Sequence, residues 1–231
     1  MKRVRKSPEI RFAEILDCAR ELFFSRGYED TTVNDIIDAA GVSKGAFYHY
    51  FESKDELLEA LANRLADESL AALLPMVDDP ALDAVGRFNR LFAGARQFKA
   101  ENAAALRRTF DVIFKPENLV LFHRIDEALT EKTAPVFARI IEEGVREGSM
   151  DAADPLATAE TLLHLRLSMG RLMNRALRLA ETGDLESAIA MLDERLRLYG
   201  IAVDRVLKLP DGTLEVADAS FARAFLEAPQ D

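Results

Sequence analysis

The 231-residue sequence has no tryptophan, one cysteine and three histidines. A lone Cys18 excludes an internal disulfide and fits a reducing compartment. With no second thiol to resolve an oxidised form, Cys18 reads as a small packing residue. His49, His123 and His164 never stand four apart, and no H-E-x-x-H run occurs, so no metal cluster is expected. Nucleophile-elbow, P-loop and G-x-G-x-x-G motifs are missing too. Glu142, Glu143 and Glu147 read as a solvated helix face. The expectation is no enzyme and no cofactor.

No apolar run reaches the ~18 residues of a membrane span, and the basic Met1–Lys6 stretch lacks the apolar run of a signal peptide. A cytoplasmic protein with no membrane partner is expected. Positive charge is scarce: 30 Lys/Arg face 40 Asp/Glu, a net charge of −10. That argues against a nucleic-acid partner until the charges are located. Over Met1–Lys54, nine basic residues meet nine acidic ones, so the whole acidic excess lies further on. Lys2, Arg3, Arg5, Lys6 and Arg11 crowd the start. An acidic remainder repels DNA and favours one docking orientation.

What is present is helix, with no alternating strand run and no internal repeat. Ser7-Pro8 reads as a cap and first-turn proline, opening a helix to about Arg26 that Gly27 stops. Thr32 and Asp35 form a T-x-x-D box at the head of Val33–Ala40. Val33, Ile36, Ile37 and Ala40 give that helix one apolar face. Gly41 suits the positive φ of a tight exit, and Ser43 caps Lys44–Tyr50. Two short helices around a glycine turn make a helix-turn-helix pattern. Phe47 and Phe51 are spaced to face inward. Lys44, Gly45, Ala46, Tyr48, His49 and Tyr50 mostly face outward, a surface that suits insertion into a DNA groove.

The run Thr31-Thr32, Ile36, Ala39 to Gly45, Phe47 to Phe51 and Ser53-Lys54 resembles the TetR family of transcriptional regulators. The likeness continues into Asp55-Glu56-Leu57-Leu58. It implies an all-α fold of about nine or ten helices: a basic tail over residues 1–8, a three-helix DNA-binding domain over 9–69, and a helical ligand-binding and dimerisation domain over 70–231. It implies a homodimer on a palindromic double-stranded operator, with one recognition helix per major groove. Carried over by position, Thr32 and Ser43 would meet phosphate, Asn34 and Lys44 base edges, and Tyr48 and His49 phosphate, sugar or thymine methyl. Lys54 would bind phosphate, and Gly45 and Ala46 would permit close approach. The basic tail is either a minor-groove arm or a solubilising tail.

Further on, Ser53 to Glu56 makes an S-x-x-E box opening a helix to about Leu74, where Pro75 and then Asp78-Asp79-Pro80 are expected to break it. Helical spacing runs from Leu82 to Phe114 with a bend near Glu101-Asn102, then over Leu119–Leu129 and Pro135–Glu147, with Pro135 starting or kinking the latter. Two long helices follow, Pro155 to about Ala180 and Gly183 to about Leu207, and a short one near Ala219–Leu226. The first long helix is apolar on two sides and must bury both. Leu163, Gly170, Leu177, Leu192, Leu196 and Tyr199 are the candidate dimer residues; the alternative is a larger internal core. The resemblance also implies a small-molecule effector that lowers operator affinity. Candidate pocket residues are Phe88, Phe92, Phe110, Phe114, Met169 and Met173, with Arg96, His123, Arg166 and Asn174 as polar groups. Abundant Phe and Met favour an apolar inducer. Two alternatives stand: an activator or protein-controlled regulator of the same fold, and a helical binding protein or enzyme that has lost DNA binding.

Overall fold

A computed structural model describes residues 7–115, 118–217 and 220–227. The basic residues Lys2, Arg3, Arg5 and Lys6, the Pro116-Glu117 stop and Ala219 lie outside them. The described residues form ten helices and no strand. They are α1 (Pro8–Arg26), α2 (Val33–Ala40), α3 (Lys44–Tyr50), α4 (Lys54–Val77), α5 (Ala84–Glu101), α6 (Ala103–Ile113), α7 (Leu119–Glu147), α8 (Pro155–Glu181), α9 (Leu185–Val206) and α10 (Phe221–Glu227).

Local chemistry sets most of these ends. Ser7, Asp83, Asp154 and Asp184 each accept a backbone N–H in the first turn of α1, α5, α8 and α9, satisfying one of the donors a helix start leaves open. Asn102 separates α5 from α6, at the expected bend. Two prolines behave otherwise than expected. Pro75 lies inside α4 and Pro135 inside α7, so Leu119–Glu147 is one helix and α4 continues to Val77. A mid-helix proline removes one hydrogen bond and crowds the preceding turn, costing ~3 kcal/mol. Burial of Leu73 and Val77 around Pro75, and of Ala134, Ala138, Ile140 and Ile141 around Pro135, offsets that cost.

The chain divides into two compact units: residues 1–66 with 112–128, and residues 67–111 with 129–231. The division differs from a boundary near Ser69 followed by one uninterrupted domain, because residues 112–128 return to the first unit. The first unit buries Ile15, Leu16, Phe23, Ile36, Phe47, Phe51, Leu57, Leu58 and Leu61 almost completely.

The second unit holds two separate apolar clusters. One gathers Leu73, Val77, Phe88, Leu91, Ile140, Ile141, Leu162 and Val203, among others. The other gathers Ala103, Met173, Leu177, Ile189, Leu192 and Leu196 with Phe221, Phe225 and Leu226 of α10. The chain from Pro210 to Val216 is tied down by polar groups. The fully buried Asp204 carboxylate accepts N–H bonds from Gly212 (2.7 Å) and Leu214 (3.0 Å). Asn89 donates to Thr213 O and accepts from Glu215 N.

Candidate nucleic-acid interface

The turn between α2 and α3 is fixed by three devices. Thr32 Oγ1 accepts from Asp35 N (3.2 Å), and the Asp35 carboxylate accepts from Thr32 N (2.8 Å), completing the capping box. Gly41 takes φ 60°, the left-handed region that favours glycine. Its N–H donates to Asp38 O, and Val42 N–H donates to Ile37 O, the paired closure of a Schellman end. Ser43 Oγ then accepts from Ala46 N (3.1 Å) and starts α3.

Aromatic packing sets the roll of α3. Phe47 and Phe51 are buried. Phe12 of α1 stacks on Phe51 at 5.0 Å and meets Tyr50 edge-on at 6.2 Å. With that side anchored, Lys44, Gly45, Tyr48 and His49 are exposed, Tyr48 to 46%. Lys44 Nζ sits 5.9 Å from the Tyr48 ring centre. Gly45 is informative because nothing in the protein requires it: a Cβ built there meets no atom within 4 Å. A glycine inside a helix costs ~1 kcal/mol relative to alanine.

The remaining residues predicted to contact DNA differ in what the fold already asks of them. Ser43 only accepts a bond, so its hydroxyl hydrogen has no acceptor among the described residues. Thr32 donates its hydrogen to Asp35 Oδ2 at 2.6 Å. The same hydrogen bond, with the backbone one, holds the Asp35 carboxyl below its ordinary pKa, so an anion stands beside Thr32. Asn34 and Ala46 are exposed and half-buried respectively. Lys54 Nζ donates to Tyr28 O (2.8 Å) and Thr31 O (3.0 Å) and lies 4.1 Å from the Tyr28 ring centre. Two of its three hydrogens are therefore spent inside the unit.

Two residues of this brace, Tyr28 and Asn118, had no local sequence signal. Tyr28 donates its hydroxyl to Asp55; burial first, and that hydrogen bond second, push its phenol well above the ordinary range. The buried Asn118 accepts from Tyr28 N (2.7 Å) and donates to Val112 O (2.8 Å). Tyr28 and Asn118 stand 90 residues apart, and only tertiary structure joins them. Cys18 is partly buried; desolvation first, then Glu21, Asp17 and Glu14, push its thiol up, which disfavours a reactive thiolate.

Residues predicted for the second domain divide as well. Leu163, Leu177, Leu192 and Leu196 are all buried in a single chain, three of them inside one apolar cluster. Within one chain Leu177, Leu192 and Leu196 pack in the core of their own unit. Gly170 and Tyr199 remain half-buried. Phe88 and Met173 are core, while Phe92, Phe110 and Met169 pack partly buried against it. Phe114 and His123 fall in the first unit. The Phe114 and Phe122 rings lie 5.2 Å apart at a tilt of 52°, and His123 is a surface side chain 3.8 Å from Glu127. Arg96 is held by Glu215 O, Arg166 is exposed, and Asn174 keeps a buried Oδ1 without a partner among the described residues. Among those residues no helix is long and apolar enough to cross a membrane, and no acid, His and Cys group could hold a metal ion.

Comparison with known proteins agrees with this geometry. Residues 15–61 match the family model described as bacterial regulatory proteins, tetR family. An uncharacterised helix-turn-helix transcriptional regulator of Bacillus subtilis, YfiR, is 28% identical over 165 residues, covering 68% of this chain and 76% of its own length. The transcriptional repressor KstR2 of Mycobacterium tuberculosis is 28% identical over 148 residues, covering 64% and 73%. A TetR-family regulator structure from Syntrophomonas wolfei aligns over 84% of this chain and 96% of its own with a TM-score of 0.56 at 21% identity. One from a Shewanella species aligns over 79% and 95% with a TM-score of 0.55 at 22% identity. At such identities the solved structures speak for the fold alone. The matched segment holds the capped α2, the Gly41 turn and α3 with its outward Lys44-Gly45 and Tyr48-His49 pairs, and on these grounds the chain carries the DNA-binding segment of the tetR-family bacterial regulatory proteins and is similar to helix-turn-helix transcriptional regulators.

Proposed function

We propose that the protein is an effector-controlled repressor that binds a two-fold operator as a homodimer, with α3 in the major groove. The observation that carries this reading is Gly45, open to solvent and unused by the fold, between exposed Lys44 and Tyr48. A missing side chain there matters to something outside the protein, and a groove floor is what a capped helix with flanking lysine and tyrosine suits.

Ser43 donates its free hydroxyl hydrogen to a phosphate, Tyr48 and His49 contact the sugar-phosphate rim, and Lys44 and Asn34 reach base edges. Thr32 acts by shaping the start of α2. Lys54 acts chiefly as a brace with one hydrogen left for phosphate. The dimer face is the outer side of α8 and α9. There Leu165, Met169 and Leu172 flank Leu198, which is 42% exposed, and Ala202, around an open groove of about 460 Å³ edged by Arg171, Arg175 and Arg195. The effector binds within the second unit and shifts the two DNA-reading heads. Allosteric couplings of this sort are worth ~1–3 kcal/mol. A regulator of this kind works in the cytoplasm beside its DNA.

Selection of binding sites from random duplexes, followed by gel shift at fixed salt, tests the reading. A palindrome with half-sites about one helical turn or a multiple apart is expected, bound with two chains per site. Recovery of no preferred sequence would overturn it. Tyr48→Ala should abolish binding to the selected site while leaving helicity and dimer mass unchanged.

A further inference from the structure

Between α1 and α2 the chain turns a corner over residues 27–31, which delivers it to the Thr32 cap of α2. Carbonyls of this corner are closed from nearby. Gly27 O accepts from the Thr31 hydroxyl (2.7 Å), Tyr28 O from Thr31 N (3.2 Å) and Lys54 Nζ (2.8 Å), and Thr31 O from Lys54 Nζ (3.0 Å). The Tyr28 N–H is different. Among the described residues its acceptor is Asn118 Oδ1, at 2.7 Å and 90 residues away. Gly27 makes room for that contact. It takes φ 103°, and a Cβ built on it would lie 2.9 Å from Asn118 Oδ1, so no larger residue fits there.

Asn118 is fully buried and has a second partner. Its Nδ2 donates to Val112 O (2.8 Å) in the last turn of α6, and its own backbone N–H donates to Lys115 O (3.0 Å). Turning the amide over would set oxygen against the Val112 carbonyl and NH2 against the Tyr28 N–H, so these neighbours fix one orientation. A single planar group therefore ties the corner after α1 to the closing turn of α6. Thr31 and Lys54 belong to the helix-turn-helix segment and its flank, and move with it. Asn118 comes from far along the chain, so it can hold the corner from outside. What happens at the corner reaches α3, because the Thr32 box, the Gly41 closure and the Ser43 cap join the corner, α2 and α3 without slack.

We propose that Asn118, outside the helix-turn-helix segment, is a positioning residue for operator recognition: its amide sets the corner over residues 27–31, and through α2 the pose of α3 in the groove. This deepens the DNA-binding reading and rests on it. Being buried, Asn118 touches no DNA itself; it acts through the Tyr28 amide.

Gel shifts of full-length Asn118→Ala and Asn118→Asp on the selected duplex, beside their urea midpoints, test the assignment. Both variants lose the amide donor to Val112 O and should have lower midpoints, but aspartate keeps an acceptor for the Tyr28 N–H. Asn118→Ala should bind operator at least about tenfold more weakly, the factor of one ordinary hydrogen bond. Its selected sequence and salt slope should be unchanged, because no base or phosphate contact is lost. Asn118→Asp should bind within about threefold of wild type despite its lower midpoint. A residue serving stability alone would lower both midpoints and leave the affinity of the folded protein untouched. The proposal is overturned if Asn118→Ala binds like wild type, or if Asn118→Asp loses as much affinity as Asn118→Ala. If neither variant folds, hydrogen exchange of the wild type decides: bound operator should slow the Tyr28 amide at least about tenfold, and unaltered exchange overturns the proposal. A wild type that selects no duplex defeats the repressor reading instead. In that case faster exchange of the Tyr28 and Ile36 amides in Asn118→Ala, with Phe23 unchanged, upholds the grip of Asn118 on the corner, and equal exchange in the two proteins overturns it.

Discussion

The two units place their unspent chemistry on opposite sides. In the first unit, Tyr28, Thr31, Lys54 and Asn118 are consumed by one another or by backbone carbonyls, and what the fold leaves over, at Ser43, Lys44, Gly45, Tyr48 and His49, lies outside. In the second unit the surface is dense with ion pairs such as Lys132–Asp67 and Arg223–Glu186, and polar atoms left over, Thr130 Oγ1 and Asn174 Oδ1 among them, lie inside. A surface that leaves such groups exposed suits a large external partner. An interior with polar atoms left unpartnered suits a small one. A net charge of −10 hides this contrast, because the first 54 residues are neutral. Operator affinity therefore depends on a few placed groups and on dimerisation more than on a broad basic field.

The contrast can be broken from either side. Phe47→Ala removes a fully buried ring from α3 and should cost about 3–5 kcal/mol, read as a fall in the denaturant midpoint together with loss of operator binding. Asp204→Ala strips two backbone N–H groups of a buried acceptor and should cost about 3 kcal/mol. Its loss should appear in hydrogen exchange over residues 210–217, with exchange of α3 amides unchanged. Lys54→Ala should cost about 1.5–3 kcal/mol, since two charge-assisted bonds disappear. If Lys54 were only a phosphate contact, stability would be unaltered and only the salt slope of binding would fall by about one.

The smallest effect is one of pH. Burial and Asp55 raise the Tyr28 pKa above its unfolded value near 10. The resulting stabilisation is complete below that value and is lost as pH climbs through the folded one. Urea midpoints of the wild type should therefore fall above about pH 10, more steeply than those of Tyr28→Phe. Parallel curves for the two would show that Tyr28 contributes no such linkage.

Much of the first unit was legible in the sequence because its signals are local. The T-x-x-D box, the Gly41 exit and the Ser43 cap each act within five residues, and the structure contains all three. Phe47 and Phe51 follow from helical spacing alone. The Tyr28–Asn118–Lys54 brace was not legible, since it joins residues 23 to 90 apart and no periodicity encodes such a pairing. Pro75 and Pro135 misled because a proline penalty is local whereas the packing that offsets it is not. The buried leucines of α8 and α9 pose a different question. Periodicity says that Leu163, Leu177, Leu192 and Leu196 face apolar surroundings, but not whose surroundings they are.

The most direct test of the account is Gly45→Leu, measured for thermal stability and for operator binding in parallel. The Cβ of a leucine there meets no atom within 4 Å and the residue restores helix propensity, so the melting temperature should hold or rise, by up to ~1 kcal/mol in stability. The same side chain would stand between α3 and the groove floor, and operator affinity should fall at least a hundredfold. Unchanged affinity with unchanged stability would contradict the placement of α3 in the groove.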